Sequence, residues 1–321
     1  MTGFLRLVVP TLLAAVCGSP FAQTYPSKPV RLIIDFPAGG PSDSLARVVG
    51  QKLTESLGQT VVFDNRPGAN GVIAYSLAAK AAADGYTLVI LSTPFPLNAA
   101  LQRKLTYDTL ESFSPISLVA NYHNLLVVHP SVPAQSVREF VAYAKSKAGT
   151  LTYASSGTGS VQHLAMELLR RAAGFEIVHV PYAGSAPAVV DLLGGHVQAS
   201  ITTLPAALPH ASTGKLRVLG VLSPARVSRL PEVPTLVESG IAVVATGWGG
   251  IGAPAGVPKE IVARLNQEIV RIVNLADVRD RIVTVGGEPR HSSPDEFRRF
   301  IADEKKRWEP VIRESGASMQ N

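Results

Sequence analysis

Residues 151–169 of this chain read LTYASSGTGSVQHLAMELL, and this stretch decides the fold. The apolar start, the turn rich in glycine and hydroxyl groups and the helically spaced apolar residues after it predict a strand, a turn and a helix. The first backbone N–H groups of a helix are free to bind an anion, and glycine lets them approach it closely. The pattern predicts a site for a carboxylate or a phosphate. The alternative is an ordinary helix cap made by the hydroxyl groups.

The same pattern occurs earlier in the chain. The strand VRLIIDF, which begins at Val30, precedes the turn PAGGPSDS and a helix with apolar residues at positions 45, 48, 49 and 53. In both places a short strand, a second turn with proline and glycine, another helix and a third strand follow. The repeat predicts two βαβαβ units. Because ligands of open parallel sheets bind outside the carboxyl ends of the strands, we expect two α/β lobes, each with a mainly parallel sheet flanked by helices, and a ligand cleft between them.

The composition fits a globular protein with two domains. The chain has 321 residues, of which 46% are hydrophobic and 17% charged, so there is enough apolar material for two cores. The net charge is +6, but the basic residues are scattered and form no stripe interleaved with aromatic residues. We therefore expect no nucleic-acid partner.

Residues 1–22 have the pattern of a secretion signal. Arg6 precedes an apolar run at residues 7–16, and small residues follow as far as Ala22. The run is too short to span a bilayer, so we expect export to the periplasm and cleavage after Ala22. Lipid attachment at Cys17 is the alternative, but the preceding AAV fits that signal poorly. Because Cys17 is the only cysteine, we expect no disulfide in the mature protein.

Two crossings between the lobes are predicted. The first lies at residues 121–124, between the apolar runs ISLVA and LLVVH, and the second is the proline-rich link at residues 223–245. We expect lobe 1 to comprise residues 23–122 and 246–321, and lobe 2 to comprise residues 123–245 with the crossover segments. Residues 94–108 read as an irregular segment. Two linkers favour a hinge that opens and closes.

Enzyme and metal signatures are absent from the sequence. There is no G-x-S-x-G, H-E-x-x-H, Walker A or C-x-x-C motif, and the histidines lack metal-ligand spacing. The glycines around Trp248 match G-x-G-x-x-G, but no helix follows them. Ser156 and His163 are a candidate nucleophile and base, yet their spacing predicts that His163 points away from the turn. We expect no enzyme activity, no cofactor and no metal.

Several long segments resemble the Bug-type (TctC-like) solute-binding receptors of tripartite tricarboxylate transporters. The resemblance covers essentially the whole mature chain. It is carried by YPSKPVRLIIDFPAGGPSD, DNRPGANG, DGYTL, ASSGTGSVQHLA, VPYAGSAPAVVDLLGGHV, LPHASTGKLRVL, LPEVPTLVESG and GWGGIGAPAGVP. It implies a two-lobed periplasmic binding protein (type II-like) that captures a carboxylate-bearing solute and hands it to a two-component membrane permease. We expect a monomer.

The resemblance also implies where the ligand is held. In such receptors the loop after the first strand holds one end of the ligand, partly through ordered water, and the hydroxyl-rich turn of the other lobe takes a carboxylate. With the strand ends that face the same cleft, the candidate ligand-binding residues are Phe36, Pro37, Ala38, Gly39, Gly40, Ser42, Asp43, Ser92, Thr93, Ser155, Ser156, Gly157, Thr158, Gly159, Ser160, Tyr182, Ala183, Gly184, Thr202 and Thr203.

Some of these residues have a second interpretation. Asp43 could contact a ligand amine or water, or it could stabilise the start of a helix through the helix dipole. Tyr182 could line the cleft or pack beneath it. Trp248 reads as a packing residue near the crossing.

One segment departs from the receptor pattern. Many relatives carry an acidic residue where this chain has Ile201, Thr202 and Thr203. Without that carboxylate a ligand ammonium group loses a natural partner, so we expect a preference for a non-amino organic acid. A periplasmic ligand sensor that feeds a signalling system is the alternative function, and a hydrolase on the same scaffold is a more distant one.

Overall fold

The elements of the first half of the chain alternate between strands and helices. The computed structural model describes residues 25–101 and 104–315. The candidate signal sequence and Cys17 lie outside the described residues. In chain order the elements are β1 (Val30–Ile34), α1 (Pro41–Leu57), β2 (Val61–Asn65), a 3₁₀ turn (Ala69–Gly71), α2 (Val72–Ala79), β3 (Thr87–Ser92), α3 (Pro94–Leu101), β4 (Phe113–Tyr122), β5 (Asn124–Val128) and α4 (Val137–Ser146).

The second half continues the alternation and ends in a long helix. Within the described residues no helix has the length and apolar character needed to cross a membrane. The elements are β6 (Thr152–Ser155), α5 (Val161–Ala173), β7 (Val178–Pro181), α6 (Ser185–Leu193), β8 (Ala199–Thr203), α7 (Leu204–Ala211), β9 (Arg217–Val221), β10 (Gly247–Pro254), α8 (Lys259–Val273), α9 (Ala276–Thr284), β11 (Gly287–Pro289) and α10 (Pro294–Ser315).

Two sheets organise these elements, which confirms the predicted α/β architecture. The first sheet has the strand order β11-β4-β10-β3-β1-β2, and the second has the order β7-β6-β8-β5-β9. The strands of the two βαβαβ units pair in parallel, β1 with β2 and β3, and β6 with β7 and β8. The repeat seen in the sequence therefore forms three neighbouring strands of each sheet.

The remaining strands pair in the antiparallel direction, so both sheets are mixed and the βαβαβ unit is the parallel part of each. β5 runs against β8 and β9, and β10 runs against β3 and β4. The direction of β5 and of β10 follows from the edge of the sheet at which the chain enters each lobe. β5 begins opposite Thr203, the last residue of β8, and β10 begins opposite Tyr122, the last residue of β4. A strand that starts where its neighbour ends runs in the opposite direction.

The two crossings between the sheets lie side by side. Only His123 separates β4 from β5. On the return path the amide of Asn124 donates to the carbonyl of Ala245 (2.8 Å), and Gly247 pairs with Tyr122 two residues later. The hinge expected from the sequence falls at this short double crossing.

The return crossing is shorter than the sequence predicts. Residues 223–244 do not bridge the lobes but fold onto the second sheet, where Leu236 and Val243 are buried and Thr235 pairs with Val221. Prolines mark this segment as irregular, but irregular chain can still pack against a core.

Helices α3 and α10 contribute side chains both to the hydrophobic core of the first sheet (the first core) and to that of the second sheet (the second core). α3, predicted as irregular, has Phe95 in the first core, and Leu97 and Leu101 in the second. Its prolines lie in the first turn, where a helix tolerates them. α10 buries Phe297 in the first core and Trp308 in the second. The sequence prediction placed this whole helix with lobe 1.

Glycine lets α10 lie directly on the first sheet. A Cβ atom at Gly250 of β10 would lie 2.3 Å from the ring of Phe297 and 2.6 Å from the Ser117 carbonyl oxygen. Trp248 is buried beside this contact and packs edge-on against Phe297 and Phe300. This agrees with its interpretation as a packing residue.

Candidate functional site

The first-lobe loop (residues 36–40) connects β1 to α1 at the carboxyl edge of the first sheet. Its exposed stretch is Pro37, Ala38 and Gly39, and Gly39 has a φ of 84°, which favours glycine. The amide of Asn65, at the end of β2, donates to the carbonyl of Phe36 (3.0 Å). The loop therefore presents backbone groups to solvent, and its base is fixed by a residue absent from the predicted site.

Asp43 holds this loop from below. Its carboxylate accepts hydrogen bonds from the Gly39 amide (2.9 Å), Arg47 (2.9 Å) and Asn65 (3.0 Å). Burial raises the pKa of Asp43, but the hydrogen bonds from Arg47, Gly39 and Asn65 outweigh it and hold the pKa below its usual value. Both oxygens are occupied inside the protein. Of the two interpretations given above, the structure places Asp43 in the one at the helix start.

A buried polar cluster lies beneath the same loop. The hydroxyl groups of Tyr75 and Ser92 donate to one oxygen of Asp35, at 2.6 and 2.5 Å. Asp35 is completely buried, and its other oxygen has no hydrogen-bond partner among the described residues. Burial raises the pKa of Asp35, against the effect of the neighbouring hydroxyl groups of Ser92, Tyr75 and Ser42. Ser92 thus directs its hydroxyl hydrogen to Asp35.

Thr93 follows Ser92 and joins β3 to β10. Its hydroxyl accepts a hydrogen bond from the Trp248 amide (2.8 Å) and lies 3.3 Å from the Trp248 carbonyl oxygen. Thr93 and Ser42 are both buried. Ser42, Ser92 and Thr93 therefore support the loop, and their hydroxyl groups lie beneath its surface.

The second-lobe turn (residues 155–160) is held by its own side chains. Ser155 accepts from the Gly157 amide (3.1 Å), Ser156 donates to Gln162 (2.7 Å) and Ser160 accepts from the His163 amide (3.2 Å). Gly157 and Gly159 have φ angles of 131° and 75°, which residues other than glycine rarely adopt. Thr158 is the exposed residue of the turn. The geometry is that of a preformed loop at the start of α5.

Two stacked histidines support this turn. His163 and His179 stack with ring centroids 4.0 Å apart; His163 accepts from the Gly159 amide (3.0 Å), and a ring nitrogen of His179 lies 2.6 Å from the Ser155 hydroxyl. Burial lowers the pKa of both residues, and in His179 burial and the neighbouring His163 lower it to about 4. Both rings are therefore neutral at neutral pH.

The prediction that His163 points away from the turn is wrong. α5 begins at Val161, so His163 lies in its first turn and its ring folds back onto Gly159. His179 was not predicted at all. It reaches the site because β7 pairs in parallel with β6, which places it beside Tyr153. No local sequence pattern signals this pairing.

The adjoining turn at residues 182–184 contacts the second-lobe turn. The Tyr182 amide donates to the Ser155 carbonyl (3.1 Å), and a Cβ atom at Gly157 would lie 3.3 Å from the Tyr182 carbonyl oxygen. The Tyr182 hydroxyl donates to Asp191 of α6. Ala183 is exposed and Gly184 precedes α6 with a φ of 122°. Tyr182 is thus fixed at both its backbone and its hydroxyl group.

β8 ends beside these turns and the hinge. Thr202 is buried, and its hydroxyl has no hydrogen-bond partner among the described residues, whereas Thr203 is half-buried and pairs with Asn124. The side chain of Asn124 also accepts from Gln162 (3.3 Å). Gln162, which the sequence did not single out, therefore links Ser156 to the hinge.

α3 connects the two halves of the site. It begins directly after Ser92 and Thr93, and its last residue, Leu101, packs against the second-lobe turn. A Cβ atom at Gly159 would lie 2.9 Å from the Leu101 side chain. Because an α-helix rises about 1.5 Å per residue, the 8 residues of α3 separate the two ends by roughly 12 Å. α3 thus extends from the strand end at Ser92 and Thr93 to the second-lobe turn.

Comparison with known proteins identifies the family. Residues 45–317 match the family described as TctC: Tripartite tricarboxylate transporter family receptor. This chain belongs to that family. Its members are periplasmic solute-binding receptors, so the resemblance seen in the sequence is confirmed.

Relatives match over almost their full length. Protein BugT of Bordetella pertussis is 40% identical, with 100% of this chain and 99% of that protein covered. R. palustris Rpa4515, solved with adipate, is 37% identical with a TM-score of 0.83, covering 92% of this chain and 99% of that one. MatC (Rpa3494) from Rhodopseudomonas palustris, solved with bound malate, is 31% identical with a TM-score of 0.79, covering 90% and 100%.

Proposed function

We propose that this protein is a periplasmic receptor that captures a small organic acid between its two lobes. The observation that carries the proposal is the placement of α3, which begins beside one predicted anion site and ends on the other. The span of roughly 12 Å suits a short-chain acid that contacts both. Adipate and malate, the ligands of two related receptors, are acids of this kind.

We propose the second-lobe turn as the carboxylate site, with Thr158 as its exposed hydroxyl donor. Ser155, Ser156 and Ser160 shape the turn, which leaves the backbone N–H groups of Ser156 and Thr158 for the ligand. Each charge-assisted hydrogen bond contributes about 1.5–3 kcal/mol. Micromolar binding needs about 8 kcal/mol, so a few such bonds are sufficient after the costs of binding.

The remaining predicted residues complete the proposed cleft. The first-lobe loop supplies backbone groups for the far end of the ligand, and the turn at residues 182–184 closes the side beside Ser155. Thr202 and Thr203 occupy the strand end that lacks an acidic residue. We therefore propose a non-amino organic acid as the ligand, because the described strand end offers no carboxylate for an ammonium group.

We propose that the two lobes close over the ligand about the double crossing at His123 and Thr246. Residues 23–122 and the chain from residue 246 to the first half of α10 form lobe 1, and residues 123–245 form lobe 2. The end of α10 packs on lobe 2 through Trp308. After export and cleavage following Ala22, the receptor acts as a monomer and hands its ligand to the permease of a tripartite transporter.

We propose binding without turnover. Ser155 and His179 lie at hydrogen-bond distance, as a nucleophile and its base would. However, Ser155 is completely buried, and a pKa of about 4 makes His179 a weak base at neutral pH. No carboxylate among the described residues forms a hydrogen bond with His179 to orient it. The pair therefore has a structural role.

Isothermal titration calorimetry tests this function. The mature protein, unfolded and refolded to remove carried-over ligand, is titrated with short monocarboxylates, dicarboxylates and aspartate. We expect micromolar binding of at least one non-amino acid, and a loss of about tenfold or more in affinity for Thr158→Val. Thr60→Val, at the opposite end of the first sheet, is the matched control and should bind like wild type. No binding of any organic acid by the wild-type protein contradicts the proposal.

A further inference from the structure

Asp35 is a buried carboxyl group without a cation to neutralise it. It is completely buried at the end of β1, and no lysine, arginine or histidine of the described chain forms an ion pair with it. Burying an unpaired charge is costly, so such groups tend to hold a proton. The residues around Asp35 do not require it to be ionised.

The groups that face Asp35 come from every neighbouring element. They are the hydroxyl groups of Tyr75 on α2, Ser92 on β3 and Ser42 on α1, and Tyr122 on β4 also feels its charge. Burial and the carboxyl group raise the pKa of Tyr75 and Tyr122, so both tyrosines stay neutral. On α1, Asp43 forms an ion pair with Arg47, and its carboxylate also accepts hydrogen bonds from Gly39 and Asn65. Asp35 is therefore the only carboxyl group among the residues of this cluster.

Asp35 also lies directly before the loop that, in the proposed function, receives the far end of the ligand. Phe36 and the rest of the first-lobe loop follow it directly, and its hydrogen-bond partner Ser92 is the last residue of β3. An ionised Asp35 orients the Ser92 hydroxyl hydrogen away from the cleft and adds a negative charge beneath the loop. Two like charges about 10 Å apart in a medium of effective dielectric constant about 20 repel each other enough to change affinity about tenfold.

We propose that Asp35 determines specificity in this receptor: a dicarboxylate binds about tenfold more tightly when Asp35 carries a proton, whereas the affinity for a monocarboxylate depends little on that proton. This inference rests on the proposed function, since it assumes an organic acid in the cleft. The charge of Asp35 is tolerated beside an uncharged ligand end and opposes a second carboxylate. The receptor therefore favours monocarboxylates increasingly as the pH rises.

Calorimetry with adipate and hexanoate tests the proposal, because the two acids have the same length and differ by one carboxylate. Titrations run from pH 6.5 to pH 9.5, where both carboxyl groups of adipate are ionised. We expect the Kd for adipate to rise by up to about tenfold over this range as Asp35 loses its proton, because the repulsion between the two charges limits the total change. The Kd for hexanoate should change much less.

The variant Asp35→Asn keeps the shape and removes the charge. In this variant the Kd for adipate should be nearly independent of pH, and at pH 9.5 it should be about tenfold lower than in wild type. If the variant does not fold, wild-type titrations in two buffers with different ionisation enthalpies still measure proton uptake, which should reach a maximum of about half a proton for adipate and stay near zero for hexanoate.

The outcomes separate the two proposals. Binding of adipate that is independent of pH and takes up no proton overturns the role of Asp35 and leaves the receptor function standing. Failure of both acids, together with every other organic acid tested, overturns the receptor function itself.

Discussion

At the residue scale, the second-lobe turn depends on hydroxyl groups that work inside the protein. Ser160 caps α5 by accepting from the His163 amide, and it follows Gly159, which His163 holds. The hydroxyl-rich turn thus contains the helix cap that the second interpretation of the sequence expects, and the carboxylate site remains part of the proposed function. Three of its hydroxyl groups serve as cap or brace, and the geometry they fix leaves Thr158 exposed.

Replacing the cap should affect both stability and binding. Ser160→Ala should lower the free energy of unfolding by about 1 kcal/mol, as loss of a helix N-cap usually does, and should weaken ligand binding because the turn loses its brace. Urea unfolding and calorimetry measure the two effects. Ser136→Ala is a matched control, because Ser136 caps α4 in the same way away from the site. It should lose similar stability and keep its affinity; equal affinities in both variants would contradict the role of Ser160.

The stacked histidines should make stability depend on pH. The pKa of His179 is lowered from 6.5 to about 4 in the folded protein, so the neutral form is favoured by folding. This contribution is present above pH 6.5 and is lost as the pH falls towards 4. The melting temperature of wild type should therefore fall more steeply between pH 6.5 and pH 4.5 than that of His179→Gln, which keeps a polar side chain near Ser155. Parallel curves would contradict this account.

At the element scale, the glycines of β10 decide how closely α10 packs. Gly250→Ala should destabilise the protein by about 1–3 kcal/mol, because the added methyl group meets the Phe297 ring and the Ser117 carbonyl oxygen. Gly247→Ala, in the same strand, has its closest neighbour at 3.4 Å and should cost much less. Urea unfolding compares the two. Equal losses would mean that backbone freedom, and not the contact with Phe297, explains the glycine.

The sequence predicted the elements that repeat a strong local pattern. β1, α1, β6 and α5 follow from apolar spacing and glycine turns, and the first-lobe loop and second-lobe turn follow with them. The pattern failed where local signals are weak or misleading. α9 and β11 were not predicted, because β11 is a three-residue strand, Gly287–Pro289, defined only by its pairing with β4. α3 was missed because its prolines suggested irregular chain.

The residues missed at the site depend on contacts that are distant in sequence. Asn65 comes close to Asp43 because β2 pairs in parallel with β1, the strand before α1. His179 comes close to Ser155 because β7 pairs in parallel with β6. Asp35 was read only as part of an apolar strand, VRLIIDF, although a carboxyl group in such a strand is unusual. Its burial and its contact with Ser92 depend on the pairing of β1 with β3, which no local pattern contains.

At the scale of the whole molecule, two short crossings and two shared helices join the lobes. The chain crosses between the lobes at His123 and Thr246, and α3 and α10 bury side chains in both cores. The proposed closure would therefore have to reposition these helices. Leu101 of α3 packs on the second-lobe turn, so in the proposed function this contact links ligand binding to lobe movement.

The crystal structure of the receptor with the tightest-binding acid from calorimetry tests the central claim most directly. The account predicts a ligand between the first-lobe loop and the second-lobe turn, with a carboxylate within hydrogen-bond distance of Thr158. A different crevice, of about 150 Å³, lies between α7 and the end of α9 and is lined by Pro205, Arg229 and Gly286. A ligand found there, or anywhere that leaves Thr158 without contact, would contradict the account.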